Sequence, residues 1–276
     1  MAGDPRKGLE KDRCQELLQA AIDLADVLRK RISEEVGQGL TVASKADHSV
    51  VTSADTAGEQ AFRSAVIARY PVHGVRGEEL PPLNPDAEFV WVVDPIDGTA
   101  EFAAGVPLWG TIIGLYYRDR PLVGVIDLPA LNLRASAGYG LGTTVNGESV
   151  SIEAMAEDAI NGRERVGTPS RVNYAKSEGG EAMFDKLCAV HPNIRVVHTC
   201  FTHVMALNGG LDAAIEWNAP LWDVAATRIL IEEAGGKYMQ LKTPKGDPKD
   251  DDGGALHNVV FGRPGLVERI AATLGS

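Results

Sequence analysis

The run FVWVVDPIDGTAEF, residues 89–102, constrains this chain more than any other stretch. Its first half is apolar and β-branched, the pattern of a fully buried strand. Pro95 fixes its own φ and removes a backbone donor, which predicts that the strand stops there. Asp94 and Asp97 stand either side of the Pro-Ile step, and the chain then turns through Gly98 into Thr99. Two carboxylates three residues apart on a tight turn can face one point, with the Ile96 carbonyl between them. Hard divalent cations take such a set, several oxygens of which some are charged. The Gly98 and Thr99 amides can then open a helix whose N-terminus favours a phosphate at the same point. The plainer alternative is an Asx-type turn with two solvated aspartates.

Around this run the apolar periodicity changes character once. From Leu9 to about Glu35, Leu17, Ala21, Leu24, Leu28 and Ile32 recur at steps of three and four, which predicts a long amphipathic helix. LTVASKADHSVVTSAD is rich in β-branched and turn residues and reads as a short strand pair. Thr52 and Ser53 then cap a second helix that Pro71 ends. From Trp109 to Val150 the segments WGTIIGLYY, PLVGVIDLP and LNLRASAGYG read as antiparallel strands, with Asn146-Gly147 as a hairpin turn. Residues 1–150 are therefore expected to form an α+β half.

Residues 151–276 alternate differently. RERVGT, NIRVVHT, LDAAIEW, GKYMQL and NVVFGR read as strands. GGEAMFDKLCAV, THVMALNGG and DVAATRILIEEAGG read as helices, the last closed by Gly235-Gly236, and Pro264 opens a final one. This is the alternation of an α/β half. TPKGDPKDDDGG reads as a solvated loop.

Composition limits the function classes. A net charge of −11 over 276 residues opposes sequence-independent binding to a nucleic-acid backbone. An acidic protein that handles phosphate needs cations to offset the repulsion. Cys14, Cys188 and Cys200 are few, odd in number and far apart, as in a reduced cytosolic chain. The charged opening MAGDPRKGLEKDRC lacks an apolar core, and no run approaches the ~20 apolar residues of a membrane span. A soluble cytoplasmic protein with no membrane or nucleic-acid partner is expected.

Four sets of residues can carry chemistry. Asp94 and Asp97 lead, because Asp-Pro-x-Asp-Gly-Thr is a specific spacing at the end of a strand. Glu78-Glu79 follow a glycine after an extended piece, a pattern that surface glutamates share. Asp223, in Trp222-Asp223, opens a helix, where an aspartate also serves as a plain cap. Lys45, Asp47 and Asp55 lie in one stretch; Asp55 has a capping alternative, and Lys45 with Asp47 can form a surface ion pair. The six histidines show no HxxxH or HExxH spacing, which argues against a zinc hydrolase. GYGLG at 138–142 leads into a hairpin rather than a helix, so it is not a dinucleotide loop. There is no GxSxG, and no cysteine stands in a nucleophile motif.

Taken in order, KADHSVVTSAD, GEE, WVVDPIDGT, the glycine-rich hairpin with VNG, and PLWDVAATRILIEEAGG resemble the inositol monophosphatase superfamily, from about residue 40 to 240. The resemblance implies a layered αβαβα sandwich, and a Mg²⁺-dependent phosphomonoesterase. It implies that Glu78, Asp94, Asp97, Asp223 and the Ile96 carbonyl hold two or three Mg²⁺ ions. Thr99 would help hold the attacking water, Glu78 would act as its base, and Asp55 would lie close by. Asp97, Asp223 and the Gly98 and Thr99 amides would face the phosphorylated substrate. A homodimer and sensitivity to Li⁺ are further expectations of the resemblance.

Within the superfamily, PLWGTIIGL and GVIDLPAL resemble the histidinol-phosphate phosphatase group, with Trp109-Gly110-Thr111 at a distinguishing position. Glu216, seven before Asp223, matches the glutamate that meets substrate hydroxyls in the inositol group, and an anion there can equally hold an ammonium. L-histidinol phosphate is therefore the expected substrate. Inositol-1-phosphate or a broad range of sugar phosphates is the alternative, ahead of adenosine 3′,5′-bisphosphate or a non-catalytic binding role. Three segments depart from the histidinol pattern: Leu133-Arg134-Ala135 on the hairpin, HTCFTH at 198–203, and Glu101-Phe102.

Overall fold

The computed structural model describes residues 4–45, 49–241 and 255–275. The predicted first helix is α1 (Lys11–Gln38), and Leu17, Ala21, Leu24, Leu28 and Ile32 are all buried along one stripe. A short antiparallel pair follows, β1 (Val42–Ser44) and β2 (Val50–Thr52). α2 (Ser53–Arg69) starts from a capping box in which Thr52 and Asp55 satisfy each other's orphan donors. It ends at Tyr70, ahead of Pro71.

β3 (Gly74–Gly77) runs parallel to β4 (Phe89–Asp97), the buried central strand. β4 does not stop at Pro95. It continues to Asp97, and its pairing with the next strand slips between Asp94 and Asp97. A bulge tolerates proline because the missing donor has no ladder partner there. α3 (Thr99–Ala103) leads to β5 (Gly110–Tyr117), β6 (Arg120–Leu128), β7 (Leu133–Gly138), β8 (Gly142–Val145) and β9 (Glu148–Val150). These complete a seven-stranded sheet in sequence order, β3 to β9, antiparallel except at its first pair.

The second sheet has five strands in the order β11-β10-β12-β14-β13. Its elements are β10 (Val166–Thr168), α4 (Arg171–Ala175), α5 (Gly180–Val190), β11 (Ile194–Val196), α6 (Phe201–Leu207) and β12 (Ala213–Ala219). α7 (Leu221–Val224), α8 (Thr227–Glu233), β13 (Lys237–Gln240), β14 (His257–Gly262) and α9 (Leu266–Leu274) follow. The sequence pattern did not separate α7 from α8, nor detect the five-residue α4. Asp223 accordingly sits inside α7 rather than opening a long helix. α9 begins at Leu266, after Gly265, instead of at Pro264. TPKGDPKDDDGG lies outside the described residues.

Three apolar clusters build the layers. One face of the large sheet packs Trp91, Val93, Ile113 and Val125 against α1 and α2. Its other face packs Val92, Ile112 and Ile126 against α6, α7 and α8, which also cover Val259 and Phe261 of the small sheet. α4, α5 and α9 close the far face of the small sheet through Tyr174, Leu187 and Ile270. The result is the αβαβα sandwich. A methyl group on Gly114 of β5 would lie 2.6 Å from the Ala225 carbonyl, so its absence lets the α7–α8 junction press onto the large sheet. That contact brings Asp223 close to the end of β4.

Candidate active site

Three carboxylates converge where β4 meets the middle helix layer. One oxygen each from Asp94, Asp97 and Asp223 lies within 4.8 Å of the other two. Strand alternation explains Asp94, which shares with Val92 the face turned to the middle helices. The bulge re-aims Asp97, whose carboxylate accepts the backbone N–H of Cys200 ahead of α6. Asp94 Oδ1 accepts the Ile96 N–H at 2.9 Å, closing the turn, while the Ile96 side chain is buried under α1 and α2. The chain reverses through Gly98 at φ +87°, a left-handed conformation that costs other residues free energy.

Thr99 and Asp55 meet at the turn. The Thr99 hydroxyl lies 2.9 Å from Asp55 Oδ1 and 3.0 Å from the Ile96 carbonyl. Asp55 also accepts the Thr52 N–H, so its capping role and its contact with Thr99 coexist. Burial raises the Asp55 carboxyl above its ordinary range, against the hydrogen bonds from Thr52 and Thr99.

Glu78 is turned toward Lys45, whose Nζ lies 2.7 Å from both Glu78 Oε1 and Glu79 Oε1. Lys45 is thus paired within the site; Asp47, its expected partner, lies outside the described residues. Behind this pair the buried Glu59 accepts the Glu79 N–H at 2.7 Å and the Arg63 guanidinium. Glu59 has an apolar setting in the α2 periodicity and gave no sequence signal. Burial pushes Glu78 up to about 7, with Lys45 opposing and the Glu79 and Asp55 charges adding to the rise. Burial would depress the Lys45 ammonium, but its two carboxylate partners hold it above its ordinary range.

The same physics acts on the aspartates. Burial, then the charges of Glu78, Asp97 and Asp223, raise Asp94 well above its ordinary range. Burial, then Asp97, Glu78 and Glu216, do so for Asp223. Asp97 is raised by burial against the Cys200 N–H. Carboxylates this close cannot all ionise without a compensating positive charge. The donor set is oxygen throughout, partly buried and anionic, which fits a hard divalent cation and not a soft one.

The expected pocket walls divide. Glu216 is buried in the middle of β12, with Oε1 3.0 Å from His203 Nε2. Trp109 packs edge-on against Phe102, ring centroids 4.7 Å apart, which accounts for Phe102 in the Glu101-Phe102 departure. Arg134 is not a wall: it bonds Asp127 and Asp26 on the α1 side of the sheet, away from the aspartates. His203 and the Cys200 amide, both in the HTCFTH segment, were not anticipated as site groups, because the segment's only sequence signal was its departure from pattern.

Comparison with known proteins agrees with this geometry. The family model described as the inositol monophosphatase family matches residues 13–274. A histidinol-phosphatase of Chlorobaculum parvum is 32% identical over 220 residues, covering 79% of this chain and 83% of the relative. One from Mycobacterium tuberculosis is 31% identical, covering 89% and 96%. The structure of an inositol monophosphatase from Zymomonas mobilis superposes with a TM-score of 0.77 at 28% identity, covering 95% of this chain and 98% of that one. Nearly the whole chain is thus accounted for by one family and one architecture, and the protein belongs to the inositol monophosphatase family, as a phosphoric monoester hydrolase of that type.

Proposed function

We propose that the protein is a Mg²⁺-dependent phosphomonoesterase acting on a small amino-alcohol or polyol phosphate, with L-histidinol phosphate as its preferred substrate. The observation that carries this reading is the convergence of Asp94, Asp97 and Asp223 from two distant parts of the chain. Residues 1–150 contribute Glu78, Asp94, the Ile96 carbonyl and Asp97; residues 151–276 contribute Asp223 and the Glu216 wall. Glu78, Asp94, the Ile96 carbonyl, Asp97 and Asp223 would hold the metal. When bound, Mg²⁺ supplies Lewis acidity, polarising phosphoryl oxygens and making water a better nucleophile at neutral pH.

The protein's own groups do the rest. The Thr99 hydroxyl, set between Asp55 and the Ile96 carbonyl, orients the attacking water. Glu78, as one of the groups that would hold the metal, stands beside that water and takes its proton. The Gly98 and Thr99 amides at the start of α3 donate to the phosphoryl oxygens. Glu216 offers a buried carboxylate that attracts an ammonium group on the alcohol portion. By the same resemblance the working form is a cytoplasmic homodimer. Among the described residues, no helix is long and apolar enough to cross a membrane.

The test is Mg²⁺-dependent phosphate release from L-histidinol phosphate, inositol-1-phosphate, fructose-1,6-bisphosphate and adenosine 3′,5′-bisphosphate. A preference of about a hundredfold in kcat/KM for histidinol phosphate supports amino-alcohol selection. Similar rates across the panel refute it and leave a general phosphomonoesterase.

A further inference from the structure

The histidine one turn into α6 has a more specific place than its neighbours. His203 is 2% exposed, packed edge-on against Phe261 with ring centroids 4.9 Å apart. Its Nε2 lies 3.0 Å from Glu216 Oε1, and its Nδ1 lies 2.9 Å from the Thr227 hydroxyl on α8. A carboxylate is an acceptor only, so Nε2–H is the donor to Glu216, and Thr227 engages the other nitrogen. A flipped ring would forfeit both bonds. The helix that carries His203 is itself tied to the aspartates, since the Cys200 N–H at its start bonds Asp97. One short segment therefore links the acidic centre to the glutamate on the pocket wall.

We propose that His203 is a positioning residue for Glu216, which it holds as an anionic acceptor for the cationic group of an amino-alcohol phosphate. The inference rests on the phosphatase reading above and deepens its substrate preference. One carboxylate oxygen of Glu216 is thereby committed to His203. A buried carboxylate deprived of its donor would rotate toward other partners. That change moves the anion that distinguishes an ammonium from a hydroxyl. The HTCFTH segment, at odds with the rest of the resemblance, thereby acquires a role.

The experiment measures KM and kcat separately, with the Mg²⁺-loaded full chain, for L-histidinol phosphate and its analogue lacking the amino group. His203→Leu is expected to raise KM for the amino ester about tenfold, the scale of one charge-assisted hydrogen bond, with the change falling on KM and not on kcat. KM for the deamino ester stays within about twofold on the same argument. His203→Gln, whose side-chain amide can still donate, recovers most of the loss. Glu216→Gln raises KM for the amino ester at least as much, and the double variant is no worse than Glu216→Gln alone, because His203 acts through Glu216. Thr227→Val gives the same split in smaller measure and serves if His203→Leu does not fold. Equal KM increases for both esters, or additive losses in the double variant, overturn the positioning role. If the wild type does not distinguish the two esters, the amino-alcohol preference itself fails. The coupling between His203 and Glu216 is then read on KM for the better ester, and its absence overturns the inference.

Discussion

Replacing Asp94 by Asn should stabilise the metal-free protein while abolishing its activity. Asp94, Asp97 and Asp223 present oxygens within 4.8 Å of one another. At that separation and an effective dielectric constant of about 20, two ionised carboxylates repel by about 3 kcal/mol. Burial and mutual repulsion raise these carboxyls, so only part of the repulsion is expressed. One such pair is the reasonable count. Asn keeps an oxygen for the Ile96 N–H at 2.9 Å, though exchanging a charged acceptor for a neutral one costs about 1 kcal/mol. The net gain is about 2 kcal/mol, or roughly 3 °C in Tm for a chain of this size. Differential scanning calorimetry in EDTA at pH 7.5 measures it, beside phosphate release in Mg²⁺. A fall in Tm for the metal-free variant would refute the idea that the aspartates oppose one another in the empty site.

Other consequences follow from single contacts. Glu78 is raised from 4.5 to about 7, so its proton is held more tightly in the fold than in the unfolded chain. The metal-free protein should therefore lose stability as pH rises from about 4.5 to about 7, and apparent Mg²⁺ affinity should weaken by up to about tenfold per pH unit below 7. Calorimetric titration between pH 5.5 and 8 tests both signs; a flat affinity contradicts them. Thr99→Val removes the hydroxyl between Asp55 and Ile96 and should lower kcat about a hundredfold with little change in KM, measured by steady-state kinetics. Gly77→Ala places a methyl 2.3 Å from the Glu59 carboxylate and should cost about 3 kcal/mol by urea denaturation. Lys45→Met withdraws the ammonium from Glu78 and Glu79 and should tighten Mg²⁺ binding about tenfold by isothermal titration; weaker binding would refute an opposing role for Lys45.

The parts of the fold that were legible in the sequence are those set by local periodicity. The stripe from Leu17 to Ile32 carries its own signal because it buries one face, and β5 and β6, buried on both faces, show as continuous apolar runs. β4 was placed correctly, but its end was not. Proline's missing donor predicts a stop, whereas tertiary pairing with β5 carries the strand through as a bulge. The break between α7 and α8 left no helix-breaking residue in DVAATRIL; at it, Ala225 lies against Gly114 and its carbonyl accepts the Tyr116 hydroxyl instead of a helical N–H. In the site, motif spacing pointed to Asp94, Asp97 and Asp223, yet only the resemblance put the distant Asp223 with the other two. Lys45 was read with its sequence neighbour Asp47, while its partners Glu78 and Glu79 lie more than thirty residues away. His203 was invisible for the same reason: Glu216 and Thr227 belong to different elements, and HxxxH-type spacing seeks ligands on one helix.

The central claim is that the aspartate cluster is a divalent-cation site on which phosphate-ester hydrolysis depends. Phosphate release measured against free Mg²⁺, for wild type and Asp223→Asn, tests it most directly. No turnover is expected in EDTA, with full recovery on adding Mg²⁺ to the wild type and none for the folded Asp223→Asn variant at any Mg²⁺ concentration. Undiminished turnover in EDTA, or by the variant, would contradict it.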